Sequence, residues 1–182
     1  LAARRAPGNK AAAAAALVDL LAAEANADLL ALADNPSLDI RTSALMLAAG
    51  LKGQAVTAAW AEKLAKASPA VRADIAWMLG KRGDAAAAPA LAAALKSDDP
   101  ALQAASIDAL GRLAPQSDQA VAALIDALGN ADKNVAAHAQ AVLARTAGES
   151  ISKTLAQAAG KAQGPAKAAL IEILTARRSP ET

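Results

Sequence analysis

The chain holds a single histidine, His138, and no cysteine. Thiolate catalysis, disulfides and cysteine-ligated metals are therefore excluded. His138 as a base or a ligand needs a carboxylate beside it, and Asp108 is the residue that could supply one. One histidine and one carboxylate fall short of the donor sets that hold transition metals. Gly80-Lys81-Arg82-Gly83 sets two cations between glycines, the composition of a phosphate-binding loop. It lacks the preceding strand and the following Ser or Thr of such a loop, and reads as a helix-ending turn. No Ser-His-Asp arrangement, His-Glu-x-x-His or Cys-x-x-Cys motif is present. These residues imply no catalytic group, no cofactor and no metal, and turn attention to binding. The only aromatic side chains are Trp60 and Trp77. Tryptophan is enriched where partners are gripped, and Trp77 is the candidate contact anchor. Trp60, four residues before Leu64, reads as a packing residue.

The elements that position these residues repeat. Pro69-Ala70-Val71-Arg72-Ala73-Asp74-Ile75-Ala76-Trp77-Met78-Leu79-Gly80 and Pro100-Ala101-Leu102-Gln103-Ala104-Ala105-Ser106-Ile107-Asp108-Ala109-Leu110-Gly111 align residue for residue on their prolines. Looser copies open at Pro36, Lys133 and Pro165. The anchors 36, 69, 100, 133 and 165 are separated by 33, 31, 33 and 32 residues. A fixed period in this range is the mark of stacked helical pairs. Asn35, Ser68 and Asp99 precede the prolines as helix caps, and Gly50, Gly80, Gly83 and Gly129 are expected to end helices at positive φ. In the copy from Pro100, Leu102, Ser106, Ala109, Leu110 and Leu113 form the buried stripe. Leu110→Ala is accordingly expected to cost roughly 2–5 kcal/mol in a thermal or urea unfolding experiment, and an unchanged midpoint would refute this register.

Composition agrees with a helical chain. Of its 182 residues 55% are hydrophobic, yet there is no Phe or Tyr, and alanine dominates. Alanine is the best helix former and lets helices approach closely, whereas a sheet core would draw on β-branched and aromatic residues. The class is all-α. Net charge is only +2, too balanced for an extended nucleic-acid surface. The most apolar run, 11–23, is broken by Asp19 and is too short to span a membrane. The chain opens on Leu1 rather than Met, as expected for a piece of a longer protein, and nothing in it sets the compartment.

The order proline, apolar residue, Arg or Gln, alanine-rich run and Leu-Gly resembles the second helix of a bacterial HEAT repeat, close to the lyase-like subclass. The resemblance implies an α-α superhelix, a right-handed solenoid of about five HEAT-like helical pairs. It would form a single domain over 1–182, with a leading helix in 1–25 and repeats at about 26–53, 54–83, 84–115, 116–148 and 149–178. It implies that the second helices line a concave groove. Positions one, five, eight and twelve after each anchor would then present Arg41, Asp74, Trp77, Lys81, Asp108, Arg112, His138 and Arg145 to a partner. It also implies that Arg72 bridges adjacent repeats through the turn acids Asp34, Asp98, Asp99 and Asp132.

The function implied is a non-enzymatic protein–protein interaction or scaffold module that binds a protein or peptide, as part of a larger protein. The alternative is an accessory protein like the bilin chromophore lyases, for which Trp77, Lys81, Arg112 and Arg145 would meet a tetrapyrrole. A HEAT-like nucleic-acid-binding protein ranks last. The ends of the stack raise a further expectation. Leu17, Leu20 and Leu21 give the leading helix an apolar face, while Leu170 and Ile173 fall on groove positions, placing the last copy out of register or making it a different cap. Uncapped solenoid ends imply a longer parent or end-to-end self-association.

Overall fold

A computed structural model describes residues 21–178. Among them are ten α-helices and two short 3₁₀ turns, with no strand. Helix α1 covers 21–32. It is followed by α2 (Leu38–Gly50), α3 (Gln54–Lys66), α4 (Pro69–Arg82), α5 (Ala88–Ala94, entered through a 3₁₀ turn at Ala85–Ala87) and α6 (Pro100–Leu113). A second 3₁₀ turn, Ala114–Gln116, leads into α7 (Asp118–Ala127), α8 (Lys133–Arg145), α9 (Glu149–Lys161) and α10 (Gly164–Arg178). Second helices stack on second helices (α2, α4, α6, α8, α10), and first helices on first helices from α3 to α9. The chain is thus a row of five helical pairs. Helix α1 runs unbroken through Asn26, Ala27 and Asp28, where the sequence places a boundary between a leading helix and the first repeat. Most of the leading segment, including Leu17 and Leu20, lies outside the described residues.

The core is one continuous stripe of small and aliphatic side chains. Leu102, Ser106, Ala109, Leu110 and Leu113 are all buried, as expected from their spacing. Trp60 is wholly buried and donates its indole N–H to Asn26 Oδ1 at 2.7 Å, tying α3 to α1. That bond satisfies the one polar atom a buried tryptophan carries.

Two anchors shift. The first second-helix starts at Leu38 rather than Pro36, because Asn35 Oδ1 accepts from the Ser37 N–H at 2.9 Å and holds the proline in a turn before the helix. The last starts at Gly164 rather than Pro165. With starts at 38, 69, 100, 133 and 164, three of the four steps become 31 residues and one 33. Counted from Pro165 the last copy is out of register, one of the two alternatives its sequence leaves: Leu170 and Ile173 are 0% and 1% exposed, in the buried stripe.

Arginine carries the links between pairs, but not the arginine expected. Arg82, at the end of α4, donates to the carbonyls of Ala48 (2.9 Å), Leu51 and Gly53 (2.9 Å) in the turn before it, and to Thr57 Oγ1 at 2.7 Å. Arg177, at the end of α10, repeats this on Leu143 (2.8 Å), Thr146, Gly148 (3.0 Å) and Ser152 Oγ (3.1 Å). The sequence separations are 34, 31, 29 and 25 in both cases. In the third pair Gln116 Nε2 reaches the Gly83 carbonyl instead. Arg72 does not bridge repeats through an acid. Its Nε donates to the Leu64 carbonyl at 3.2 Å, within its own pair, as Gln103 does to Leu95 at the same distance. The turn acids act otherwise: Asp34 pairs with Lys63, and Asp99 and Asp132 cap α6 and α8. Ser68 caps α4 with its backbone alone.

The glycines also divide by role. Gly83 ends α4 at φ 73°, but Gly50 and Gly129 do not take positive φ. Gly80 lies inside α4, buried, where a Cβ would stand 2.6 Å from Ala109 Cα. It is a place of close helix approach, not a helix stop. Gly111 plays the same part against Val142.

Thr57, wholly buried, connects the Arg82 clamp to a carboxylate. Its hydroxyl accepts from Arg82 and donates to Asp84 Oδ2 at 2.5 Å. That bond, helped by the Ala86 N–H and Arg82 and opposed by burial, holds the Asp84 carboxyl below its ordinary value. The unfolded chain therefore takes up a proton on Asp84 at a higher pH than the folded chain does. The stabilisation is complete above the ordinary carboxylate range and is lost as pH falls through the lower folded value. Urea titrations between about pH 7 and about pH 3 should show the gap between wild type and Asp84→Asn closing towards acid, and a gap independent of pH would rule this out.

Candidate functional site: the exposed face of the second helices

The stripe expected at the groove is brought together on α4, α6 and α8. Trp77 is half-buried, its ring resting against the core. One turn further along α4, the Lys81 ammonium lies 5.2 Å from the ring centroid, within cation–π range. Tryptophan is thus neither a free anchor nor a core residue: part of its ring is spent on packing, and a cation lies over it. Towards α2, Asp74 Oδ2 meets Arg41 Nε at 3.4 Å.

Arg41 enters the stripe differently from expectation. Counted from Leu38 it stands three residues into α2, as Arg72 does in α4. It donates to the Asn35 carbonyl at 3.1 Å, and only 15% of its side chain is exposed. It holds a turn and Asp74 rather than standing open to a partner. Eight residues into α2, the place Trp77 takes in α4, stands Met46, 44% exposed. Sequence reasoning missed it because the proline fixed the wrong start for that helix.

The second half of the stripe is a small ionic cluster. Asp108 Oδ1 accepts from Arg145 Nη2 at 2.8 Å and lies 3.1 Å from His138 Nε2. The pairing of His138 with Asp108 is therefore present. Both partners are partly exposed, and such pairs organise a surface more than they stabilise a fold. Arg112 is exposed on the same side, and with Asp108, Gly111, Pro115, Val142 and Arg145 it lines a cleft of about 420 Å³ between the ends of α6 and α8. Among the described residues no group of three or more His, Asp or Glu side chains is placed to hold a metal. No helix among them is long and apolar enough to cross a membrane.

Helical pairs stacked first on first and second on second, at a near-constant period, define an α-solenoid. Residues 57–144 match the family model for HEAT repeats, from within α3 to the end of α8. The match supports a HEAT-repeat assignment through the three central pairs. No curated protein matches the chain. HEAT repeats generally mediate protein–protein interaction or scaffolding, and the fold is typically non-catalytic. The match names no chromophore and no particular partner.

Proposed function

We propose that this chain is a non-enzymatic interaction module that binds a protein or peptide along the exposed face of α4, α6 and α8. One observation carries the reading. Asp108 pairs with His138 and Arg145 and shares a cleft with Arg112, and Trp77 and Lys81 stand in α4 at the places Asp108 and Arg112 take in α6. A half-buried tryptophan gives a partner apolar area at little entropic cost, and mixed charges around it set register and orientation more than affinity. The side chains already paired with one another are pre-organised, so less ordering is lost on binding. The ligand would be an extended or helical segment carrying both an apolar residue and acidic groups, the latter for Arg112 and Lys81.

Affinity capture with the whole chain, followed by Arg112→Glu and Trp77→Ala, tests this. Arg112 is exposed, so its variant should keep the wild-type melting temperature and lose the captured partner. A partner held equally by both variants, or binding that persists after the exposed face is charge-reversed, would overturn the reading.

A further inference from the structure

Four joints separate the five pairs, and at three of them a side chain reaches back to the turn after the preceding second helix. Arg82 reaches the turn after α2, Gln116 reaches Gly83 after α4, and Arg177 reaches the turn after α8. The joint between α6 and α8 is different. Thirteen residues on from the start of α8, the place Arg82 takes in α4 and Arg177 in α10, stands Thr146. Its hydroxyl donates to the Val142 carbonyl of its own helix at 2.7 Å. Among the described residues the side-chain hydrogen bonds that cross this joint are those of Asp108 with His138 and Arg145. The cleft of about 420 Å³ opens here, between the ends of α6 and α8.

Two guanidinium groups line that cleft, one from each helix. Arg112, in the last turn of α6, is exposed and makes no hydrogen bond or ion pair among the described residues. The reason is local. Asp108, one turn before it on α6, takes its partners from α8 instead. Arg145, in the last turn of α8, gives only Nη2 to Asp108, and 65% of its side chain is exposed. Its Nε and Nη1 are without an acceptor among the described residues.

The charge of the lining sets what can enter. Arg112 and Arg145 stand against Asp108, which leaves one positive charge over. The carbonyl ends of helices disfavour anions. At the α8 end Arg177 removes much of that objection, because it covers the carbonyls of Leu143, Thr146 and Gly148. The remaining charge matches a monoanion. A phosphoryl group, carrying close to two negative charges, would lie beside Asp108 unbalanced.

We propose that this cleft binds one carboxylate from an acidic segment of a partner protein, held between Arg112 and Arg145. A planar carboxylate meets planar guanidinium groups with paired N–H···O bonds. It would bridge α6 and α8 and fasten the joint that lacks a clamp of the Arg82 kind. The assignment rests on the reading of this face as a partner surface, and adds which group enters and where.

NMR on the whole chain, through its arginine Nε–H and backbone amide signals, tests this with a blocked tetraglutamate peptide as the probe. Sodium chloride at matched ionic strength is the reference. The expected result is a saturable shift of the Arg112 and Arg145 Nε–H signals and of the Gly111 amide, which chloride does not reproduce. Arg112→Gln and Arg145→Gln alter exposed side chains, so both should keep the wild-type helical signal. Each should weaken peptide binding by about tenfold or more. Lys167→Gln removes the same charge from an exposed place on α10 and should leave binding unchanged. Acetate should displace the peptide at least as well as inorganic phosphate does. No saturable shift at either arginine overturns the site. Weakening by only one of the two glutamine variants overturns the bridge, and phosphate displacing the peptide better than acetate overturns the choice of a carboxylate. The wider reading fails on a different result, a captured partner that Trp77→Ala and Arg112→Glu both retain.

Discussion

Gly80→Ala is expected to destabilise the chain by about 2–3 kcal/mol, a sign opposite to the one helix propensity predicts. In an exposed helix interior the same change stabilises by about 1 kcal/mol. Here the added methyl would stand 2.6 Å from Ala109 Cα and 2.7 Å from Ala109 Cβ. The obstacle is backbone, so no rotamer change relieves it, and α4 and α6 must move apart along their whole contact. That contact lies at the middle of the row, where Met78, Leu79, Ala109 and Leu110 are all essentially buried. Separation loosens their packing as well. Gly50→Ala is the control, because nothing stands within 4 Å of the place a Cβ would take. It should be neutral or slightly stabilising. Urea unfolding of the two variants beside wild type decides the matter; a Gly80→Ala chain as stable as Gly50→Ala would show that α4 and α6 are not held at this distance.

Arg82→Ala is expected to cost about 2–4 kcal/mol, and Arg82→Lys nearly as much. The guanidinium serves three carbonyls of the Ala48–Gly53 turn and the Thr57 hydroxyl at once. A planar fork can meet four acceptors in a fixed arrangement, while an ammonium on a flexible stem cannot. Burial pushes the Arg82 guanidinium below its ordinary value, against the pull of Asp84. The loss is therefore mainly that of hydrogen bonds tying the turn to α4, not of an ion pair. Because each pair is stabilised chiefly by its neighbours, loosening this turn also uncouples the first pair from the rest. Hydrogen exchange should show faster opening of α1 and α2 than of α6 to α8 in Arg82→Ala. Uniform exchange, or a loss under 1 kcal/mol, would mean the clamp is incidental.

Helical class, period and most of the buried stripe are legible in the residues alone. Alanine content, proline starts and the i, i+4, i+7 spacing of Leu102, Ser106, Ala109 and Leu113 are local properties, set by helix geometry alone. The central copies were legible because Pro69 and Pro100 sit at true helix starts. Pro36 misled because the Asn35 side chain turns the backbone before the helix begins, and Pro165 because Gly164 already belongs to its helix. One misplaced start moves every later residue of that helix around its axis by about 100° per position. That is why counting from Pro36 puts Arg41 on the face that Met46 occupies, and counting from Pro165 puts Leu170 and Ile173 on groove positions. The candidate face on α4, α6 and α8 was legible for the same reason that the central copies were.

The contacts between pairs depend on packing that no single repeat encodes. The glycine of each Leu-Gly reads as a helix stop until Ala109 and Val142 are found against Gly80 and Gly111. Arg72 and Arg82 are indistinguishable in composition, and only the approach of the preceding turn makes Arg82 the clamp. Repetition along a sequence reports what each pair buries within itself. Contacts across 25 to 34 residues, such as those of Arg82 and Arg177, depend on how the pairs stack, and the local pattern carries no record of that.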